Sequence, residues 1–361
     1  MPDDLSRDLL KEEQRRYKSR KTIFLSVFFV VAVLLFFLSL VVGSSSLSFG
    51  ESFLAIFGQG TEKAVRIVQN IRMPRAIAAA VAGAGLSIAG LMMQTTLKNP
   101  MASPSTLGVS NAAVFGANLS IIVFAGGFFS TGNHADQFFV TPNPFATSSI
   151  AFLFAVGSTL LILGLCRIRS FSPETVVLAG IALGAVWTAL TTLLQFFATD
   201  VGISSAVVWT FGDLGRATFQ TDWIMFACVA IGAIGFFILR WRFNALSADE
   251  NVAKSLGVRV GVLRFVSLLT ASLITAVCVS YLGIIGFIGI ICPHAMRRIL
   301  GSDHRYLIPG SLISGSILLM FADIISTLVG HGTALPVGAV TAILGGPFFL
   351  YLIFAKKGGK A

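Results

Sequence analysis

The stretch KNPMASPSTLGVSNAA, from Lys98 to Ala113, separates two apolar segments and decides how they connect. Pro100 and Pro104 interrupt a helix, because proline lacks a backbone N–H and disfavours the helical conformation of the residue before it. The sequence therefore predicts a tight re-entrant connection here rather than one continuous helix. At membrane depth, such irregular backbone is tolerated where it is buried in protein or lines a water-filled cavity.

The composition indicates a membrane protein. The chain has 361 residues, of which 55% are hydrophobic and only 12% are charged, and its mean hydropathy is +0.86. Soluble domains carry about a quarter charged residues, whereas a helix of roughly 20 apolar residues crosses a bilayer. We therefore expect an all-α polytopic protein with one large domain in the lipid bilayer. The net charge is +10. A nucleic-acid binder needs a basic face on a soluble domain, and the sequence contains no such domain, which excludes this class.

Hydropathy predicts about ten membrane-spanning helices. They form a transmembrane domain over residues 22–355, between an N-terminal tail (1–21) and a C-terminal tail (356–361). Gly, Pro and polar residues interrupt the third and eighth spans. The spans lie near residues 22–43, 74–96, 106–127, 148–166, 175–198, 222–239, 264–282, 285–300, 307–328 and 337–354.

The positions of Lys and Arg predict the orientation of the chain. With both ends in the cytoplasm, 21 of the 26 basic residues fall on the inner side, in agreement with the positive-inside rule. The exceptions include Lys63, Arg66, Arg72 and Arg75, which gather in one external stretch. Two interpretations are open: these side chains extend to the membrane interface, or they form a basic patch that receives an acidic partner.

Two pairs of segments suggest an internal repeat. TTLKNPMASPSTLG (95–108) interrupts the second and third spans, and GIIGFIGIICPH (283–294) interrupts the seventh and eighth. LAGIALGAV (178–186) in the fifth span matches the small residues of PVGAVTAILGG (336–346) in the tenth. Broken segments at corresponding places favour a transporter with two internally related halves.

Catalytic and metal-binding motifs are missing from the sequence. The four His and four Cys residues show no metal-ligand spacing, and there is no phosphate-binding loop for ATP. We therefore predict no catalytic site, no metal and no cofactor. Asp323 is the only acid placed well inside a predicted span, while Asp222 opens the sixth span at its outer edge. Asp323 is either an ion or proton site, as in an ion-coupled secondary transporter, or a hydrogen-bond anchor between packed helices.

The inner loop from Arg240 to Arg264 predicts a short amphipathic helix. Ser247 is placed to cap it, with Asp249 and Glu250 close behind, where the helix dipole favours acids. One face is apolar and comprises Ala248, Val252, Ala253 and Leu256. The helix either lies on lipid or enters a groove of another protein, and its few basic residues favour the groove.

Five motifs in order resemble the FecCD permease family of ABC importers, which carry iron–siderophores, haem and cobalamin. The resemblance runs from about Val65 to Leu352 and covers most of the chain. The motifs are RMPR (72–75), GLSIAGLMMQTTLKNPMASPSTLGVSNAA (85–113), LSADENVAKSLGV (246–258), GIIGFIGIICPHAMRRILGSDHR (283–305) and LPVGAVTAILGGPFFLYL (335–352).

The resemblance implies a permease in the cytoplasmic membrane, with ATP hydrolysis on a separate subunit. Its partners would be a second permease subunit, two cytoplasmic ATP-binding subunits and an extracytoplasmic substrate-binding protein. The expected substrate is an iron chelate, a ferric siderophore above all, with haem or cobalamin as the alternatives. The permease itself would be neither an enzyme nor a cofactor protein.

The resemblance also implies three groups of site residues. Arg72 and Arg75 match positions that dock the binding protein. Asn99 and Met101 match positions at the cytoplasmic gate, which Pro173 and Glu174 complete from the loop before the fifth span. The segment at about 245–258 matches the region that couples to the ATPase, with Asp249, Glu250, Ala253, Leu256 and Gly257 at the matching positions.

Two positions depart from the family pattern at the outer surface. Thr327 stands where the family often has Arg, and Ala334 stands where it commonly has Glu. The docking surface thereby loses familiar charge while it keeps the RMPR pair. This asymmetry favours pairing with a different permease subunit, that is, a heterodimer.

Overall fold

A computed structural model describes residues 2–43, 47–125, 143–168, 172–330 and 335–354. The predicted C-terminal tail, Ala334 and most of the external loop before the fourth predicted span lie outside these residues. The described chain is built from α-helices joined by short turns. In chain order they are α1 Pro2–Val41, α2 Phe49–Ile56, α3 Glu62–Ile67, α4 Met73–Thr96, α5 Val109–Leu119, α6 Pro144–Ile168, α7 Pro173–Phe196, α8 Asp200–Thr210, α9 Phe219–Ile238, α10 Arg240–Ala248, α11 Glu250–Ser255, α12 Val260–Leu282, α13 Ile288–Leu300, α14 His304–Val329 and α15 Val337–Phe354.

Each of the ten predicted spans contains one of these helices. Within the described residues, seven helical segments are long and apolar enough to cross a membrane. The third, eighth and tenth predicted spans hold shorter helices, namely α5, α13 and α15. The all-α polytopic fold predicted from the hydropathy is therefore confirmed.

The structure adds helices that hydropathy did not predict. α1 begins at Pro2, so the described part of the charged N-terminal tail continues the first span as one helix. Between Asp3 and the span this tail has no Gly or Pro and is rich in strong helix formers. α2 and α8 are short helices between spans, and hydropathy does not identify them because neither is long enough to cross a membrane.

α4 lies at the centre of the bundle and contacts α9, α12, α13 and α14. Most of its side chains are buried, whereas α7 on the outside is largely exposed. Small residues allow this packing, since Gly83 approaches the backbone of Gly315 in α14 and Gly90 approaches that of Gly289 in α13. Direct hydrogen bonds join the same helices, as where Ser87 Oγ donates to the Ser311 carbonyl oxygen at 2.7 Å.

The two interrupted segments singled out by the sequence lie against each other inside the bundle. The connection after α4 and the connection before α13 line one small cavity, with Pro104 on one side and Phe287 on the other. Gln94 Nε2 in α4 donates to the carbonyl oxygens of Gly289 and Ile290 at 3.1 and 3.2 Å. The broken backbone is thus surrounded by protein, as irregular structure at membrane depth requires.

Candidate functional site

The connection after α4 is the tight re-entrant turn that the two prolines predicted. Lys98 adopts a positive φ of 48°, and Asn99 Oδ1 accepts a hydrogen bond from the Met101 backbone N–H at 2.9 Å. A single helical turn at Pro104–Leu107 then leads into α5. Asn99 therefore shapes the turn, whereas Met101 projects from it and is 51% exposed.

The second predicted gate region begins α7. Ser172 Oγ accepts a hydrogen bond from the Thr175 backbone N–H at 3.2 Å and caps the helix, Pro173 occupies its first position, and Glu174 is exposed. Further along α7, Gly180 packs against the backbone of Leu107. The structure thus packs the helix that carries Pro173 and Glu174 against the end of the Asn99 turn.

The N-cap of the predicted amphipathic helix is not Ser247, as the sequence suggested, but Asp249. Ser247 lies within α10, and the N-cap of α11 is Asp249, whose Oδ1 accepts from the Asn251 backbone N–H at 2.7 Å. The reason is that α10 continues to Ala248, so the first extended residue available to cap is Asp249. The Asn251 N–H, with a smaller contribution from Lys98, holds the pKa of Asp249 below its ordinary value.

The apolar face of this segment is partly buried in the protein and partly exposed. Ala253 is fully buried, whereas Val252 is 47% exposed and Leu256 is 69% exposed. Gly257, with φ of 78°, ends the helix as the sequence predicted. Leu256 is therefore open at the surface of the protein, while Ala253 packs inside it.

Glu250 ties the short helix α11 to the bundle. Its carboxylate accepts from Lys254 Nζ at 3.1 Å and from Arg264 Nη2 at 3.2 Å. Hydrogen bonds from Lys254 and then from Arg264 hold the pKa of Glu250 below its ordinary value. Arg264 is only 3% exposed, and its Nε donates to the Thr96 carbonyl oxygen at 3.1 Å. Sequence reasoning treated Arg264 only as an inner positive charge and missed this link.

The structure places Arg72 inside the protein rather than on an outer basic patch. It is 7% exposed. Its Nη1 donates to three acceptors: the carbonyl oxygens of Leu40 and Val41, at 3.1 and 2.6 Å, and Ser52 Oγ at 3.2 Å. The two carbonyls belong to the last turn of α1, where helix carbonyls lack partners and the dipole favours a cation. These contacts with the end of α1 explain why the Arg72 side chain is buried.

Arg75 is likewise engaged within the chain. Its Nε and Nη2 donate to Asp323 Oδ1 at 2.9 and 2.7 Å, and the two side chains are 16% and 6% exposed. This pair joins the start of α4 to the C-terminal half of α14. Of the two interpretations of Asp323, the geometry supports the anchor between packed helices. The docking role of Arg72 and Arg75 stays a prediction.

The family model of the FecCD transport family matches residues 31–355. The chain therefore belongs to this family and is the permease subunit of an ABC importer for substrates of the iron-chelate and cobalamin type. As a family member it works with a permease partner, ATPase subunits and a binding protein. It is a multi-pass membrane protein and not itself an enzyme.

The similarity to three other permeases agrees with this assignment. The chain is 41% identical over 345 residues to the "Putative ABC transporter permease protein MJ0087" of Methanocaldococcus jannaschii, covering 95% of this chain and 97% of that protein. It is 34% identical to the "Probable iron chelatin transport system permease protein" of Helicobacter pylori, covering 81% and 83%. It is 33% identical to the vitamin B12 import system permease protein BtuC of Escherichia coli, covering 96% and 99%.

A solved structure has the same fold. It is described as an inward-facing conformation of a "putative metal-chelate type ABC transporter". Its TM-score with this chain is 0.79 at 26% identity, and the match covers 92% of this chain and 99% of that one. Similarity over nearly the whole of both chains shows that the bundle described above shares the fold of that transporter.

Proposed function

We propose that this chain is the permease of an importer for an iron chelate, with a ferric siderophore as the substrate. The observation that carries the proposal is the family match over residues 31–355. The similarity to an iron chelatin permease and to a solved metal-chelate type transporter supports the substrate class. The transport step would be driven by ATP hydrolysis on a separate subunit.

Within this proposal, the inner end of the bundle holds the gate and the coupling site. Asn99 and Met101, with Pro173 and Glu174 nearby on α7, would close the substrate path at the cytoplasmic side. The short helix α11, with exposed Leu256, would dock on the ATPase, since an exposed apolar residue on a capped helix suits a groove in another protein. Both termini would be cytoplasmic.

At the outer end, Arg72 and Arg75 would meet the binding protein. Because both guanidinium groups are engaged within the chain, docking would require them to exchange or share their present partners. Thr327 and Ala334 supply no charge there, which supports a heterodimer in which the second permease subunit carries more of the docking charge.

Cobalamin is the second candidate substrate, because the chain is 33% identical to the vitamin B12 permease along almost its full length. Haem, which the family also carries, is a third. These three substrates share a bound metal but differ in size and charge, so uptake assays separate them directly.

The decisive experiment is ATP-dependent uptake by the complete complex in proteoliposomes, tested with ferric hydroxamates, ferric catecholates, haem and cobalamin. We expect a ferric siderophore to be transported and to stimulate ATP hydrolysis. A protonophore should leave uptake unchanged, whereas an inactive ATPase subunit should abolish it. Uptake that follows the proton gradient instead would overturn the proposal in favour of an ion-coupled transporter.

Leu256→Arg is expected to abolish copurification of the ATPase subunits, because it places a charge in the apolar docking contact. Burying an unpaired charge costs several kcal/mol, and a loss of about 3 kcal/mol weakens binding more than a hundredfold. Leu256→Met keeps the apolar surface and is the matched control. Normal copurification of the Arg variant would show that α11 is not the docking site.

A further inference from the structure

We infer that Arg264 is a positioning residue that carries movement of α11 to the end of α4, and so to the turn that holds Asn99 and Met101. The inference rests on the proposed coupling role of α11. It assigns a task to a side chain outside the predicted site groups, and it makes Glu250 the residue through which the movement passes.

The first step is the contact between Arg264 and α4. Its Nε donates to the Thr96 carbonyl oxygen at 3.1 Å, in a region where the guanidinium is almost fully buried. Thr96 is the last residue of α4, and the final carbonyls of a helix lack partners within the helix. Arg264 therefore satisfies the end of α4 from α12, two residues before the strained Lys98 that starts the gate turn.

The second step is the contact between Arg264 and α11. Nη2 of the same guanidinium donates to Glu250 Oε2 at 3.2 Å. Glu250 lies in the first turn of α11, directly after the Asp249 cap. One rigid, planar cation thus holds the start of the coupling helix and the end of the gate-bearing helix at the same time, which is a geometry that lysine cannot reproduce.

The third step compares the two partners of Glu250. The Lys254 side chain is 59% exposed, whereas the Arg264 side chain is 4% exposed. Exposed ion pairs contribute little, while breaking a buried pair is costly because it leaves an uncompensated charge. The Arg264 contact therefore transmits force between the elements, and the Lys254 contact serves as an internal control on the same carboxylate.

The burial of Ala253 supports the same route of movement from α11 to α4. Because Ala253 is fully enclosed, α11 cannot slide over the bundle without shifting the groups beneath it. Asp249 also lies within electrostatic range of Lys98. The start of α11 is therefore linked to the end of α4 at Thr96 and to the gate turn at Lys98.

The test uses the complete complex in nanodiscs, with Met101→Cys as a reporter at the turn and a polar thiol reagent as the probe. In the otherwise unchanged chain, ATP with vanadate should alter the labelling rate of this cysteine. Glu250→Ala should remove that nucleotide response and lower the substrate transported per ATP hydrolysed by about tenfold, the loss that matches one hydrogen bond to a charged group. Lys254→Ala should behave like the parent in both measurements.

Arg264→Lys supplies an independent variant, which keeps the buried charge but not the two-sided contact. It should reproduce the Glu250→Ala defect. Equal responses of Glu250→Ala and Lys254→Ala would overturn the inference, as would loss of ATPase copurification in Glu250→Ala, because Glu250 would then be a docking contact. The proposed coupling role of α11 is tested separately. Normal copurification of the ATPase subunits with the Leu256→Arg variant would contradict that role.

Discussion

Asp323→Ala is expected to destabilise the folded chain by about 3–5 kcal/mol, because it leaves the Arg75 guanidinium buried without its counter-ion. The two groups lie in α14 and α4 and are only 6% and 16% exposed. Asp323 Oδ1 accepts both hydrogen bonds from Arg75, so the loss affects two contacts at once. Unfolding of the detergent-solubilised protein by heat or denaturant measures the effect.

The double variant Arg75→Met, Asp323→Leu is the matched control. Replacing both members of a buried ion pair by apolar side chains of similar volume is often neutral, so most of the lost stability should return. If the single and double variants were equally unstable, the ion pair would not be the cause. Uptake that stays lost in a stable double variant would instead support the docking role of Arg75.

A further variant at the same position separates anchor from ion site. Asp323→Asn retains one acceptor for Arg75 and should keep part of the stability, together with uptake that depends on ATP. A stable Asp323→Asn protein with no uptake, in a system whose parent follows the proton gradient, would establish Asp323 as a coupling acid and contradict the anchor interpretation.

Gly90→Ala is expected to cost about 3 kcal/mol or more, because the new methyl group would overlap the backbone of Gly289. The obstacle is the carbonyl and Cα of the facing residue near the start of α13, so no side-chain rotation relieves it. α4 and α13 would have to separate at the point where Gln94 bonds the same backbone. Yield of folded protein and its melting temperature measure the effect.

Gly157→Ala in α6 is the matched control, since a Cβ there meets no atom within 4 Å. Alanine is the better helix former by about 1 kcal/mol in a helix interior, so this variant should be neutral or slightly stabilising. Equal losses at both positions would mean that the close approach of α4 and α13 does not limit stability.

Much of the predicted architecture could be derived from local patterns. The ten spans follow from runs of apolar residues, and the turn after α4 follows from Pro100 and Pro104. Such features are caused by residues that are near one another in the chain, so the local sequence is enough to predict them. The shift of the α11 cap from Ser247 to Asp249 shows the limit, because both residues can cap and only the end of α10 decides between them.

The partners of the buried charges could not be derived in this way. Arg75 meets Asp323 across 248 positions of the chain, and Arg264 meets Thr96 across 168. Hydropathy and charge counting register these arginines only as positive charges on one side of the membrane or the other. The family resemblance likewise assigns Arg72 and Arg75 a partner outside the chain and gives no hint of those within it.

The sequence by itself determined that this is a polytopic permease of the FecCD family, with a break after α4 at Pro100 and Pro104. The tertiary structure alone decided which helices meet and which charges are neutralised inside the protein. The physical reason is that a buried cation needs a partner at hydrogen-bond distance, and the partners of Arg75 and Arg264 lie in distant parts of the chain that only the packing of the helices brings together.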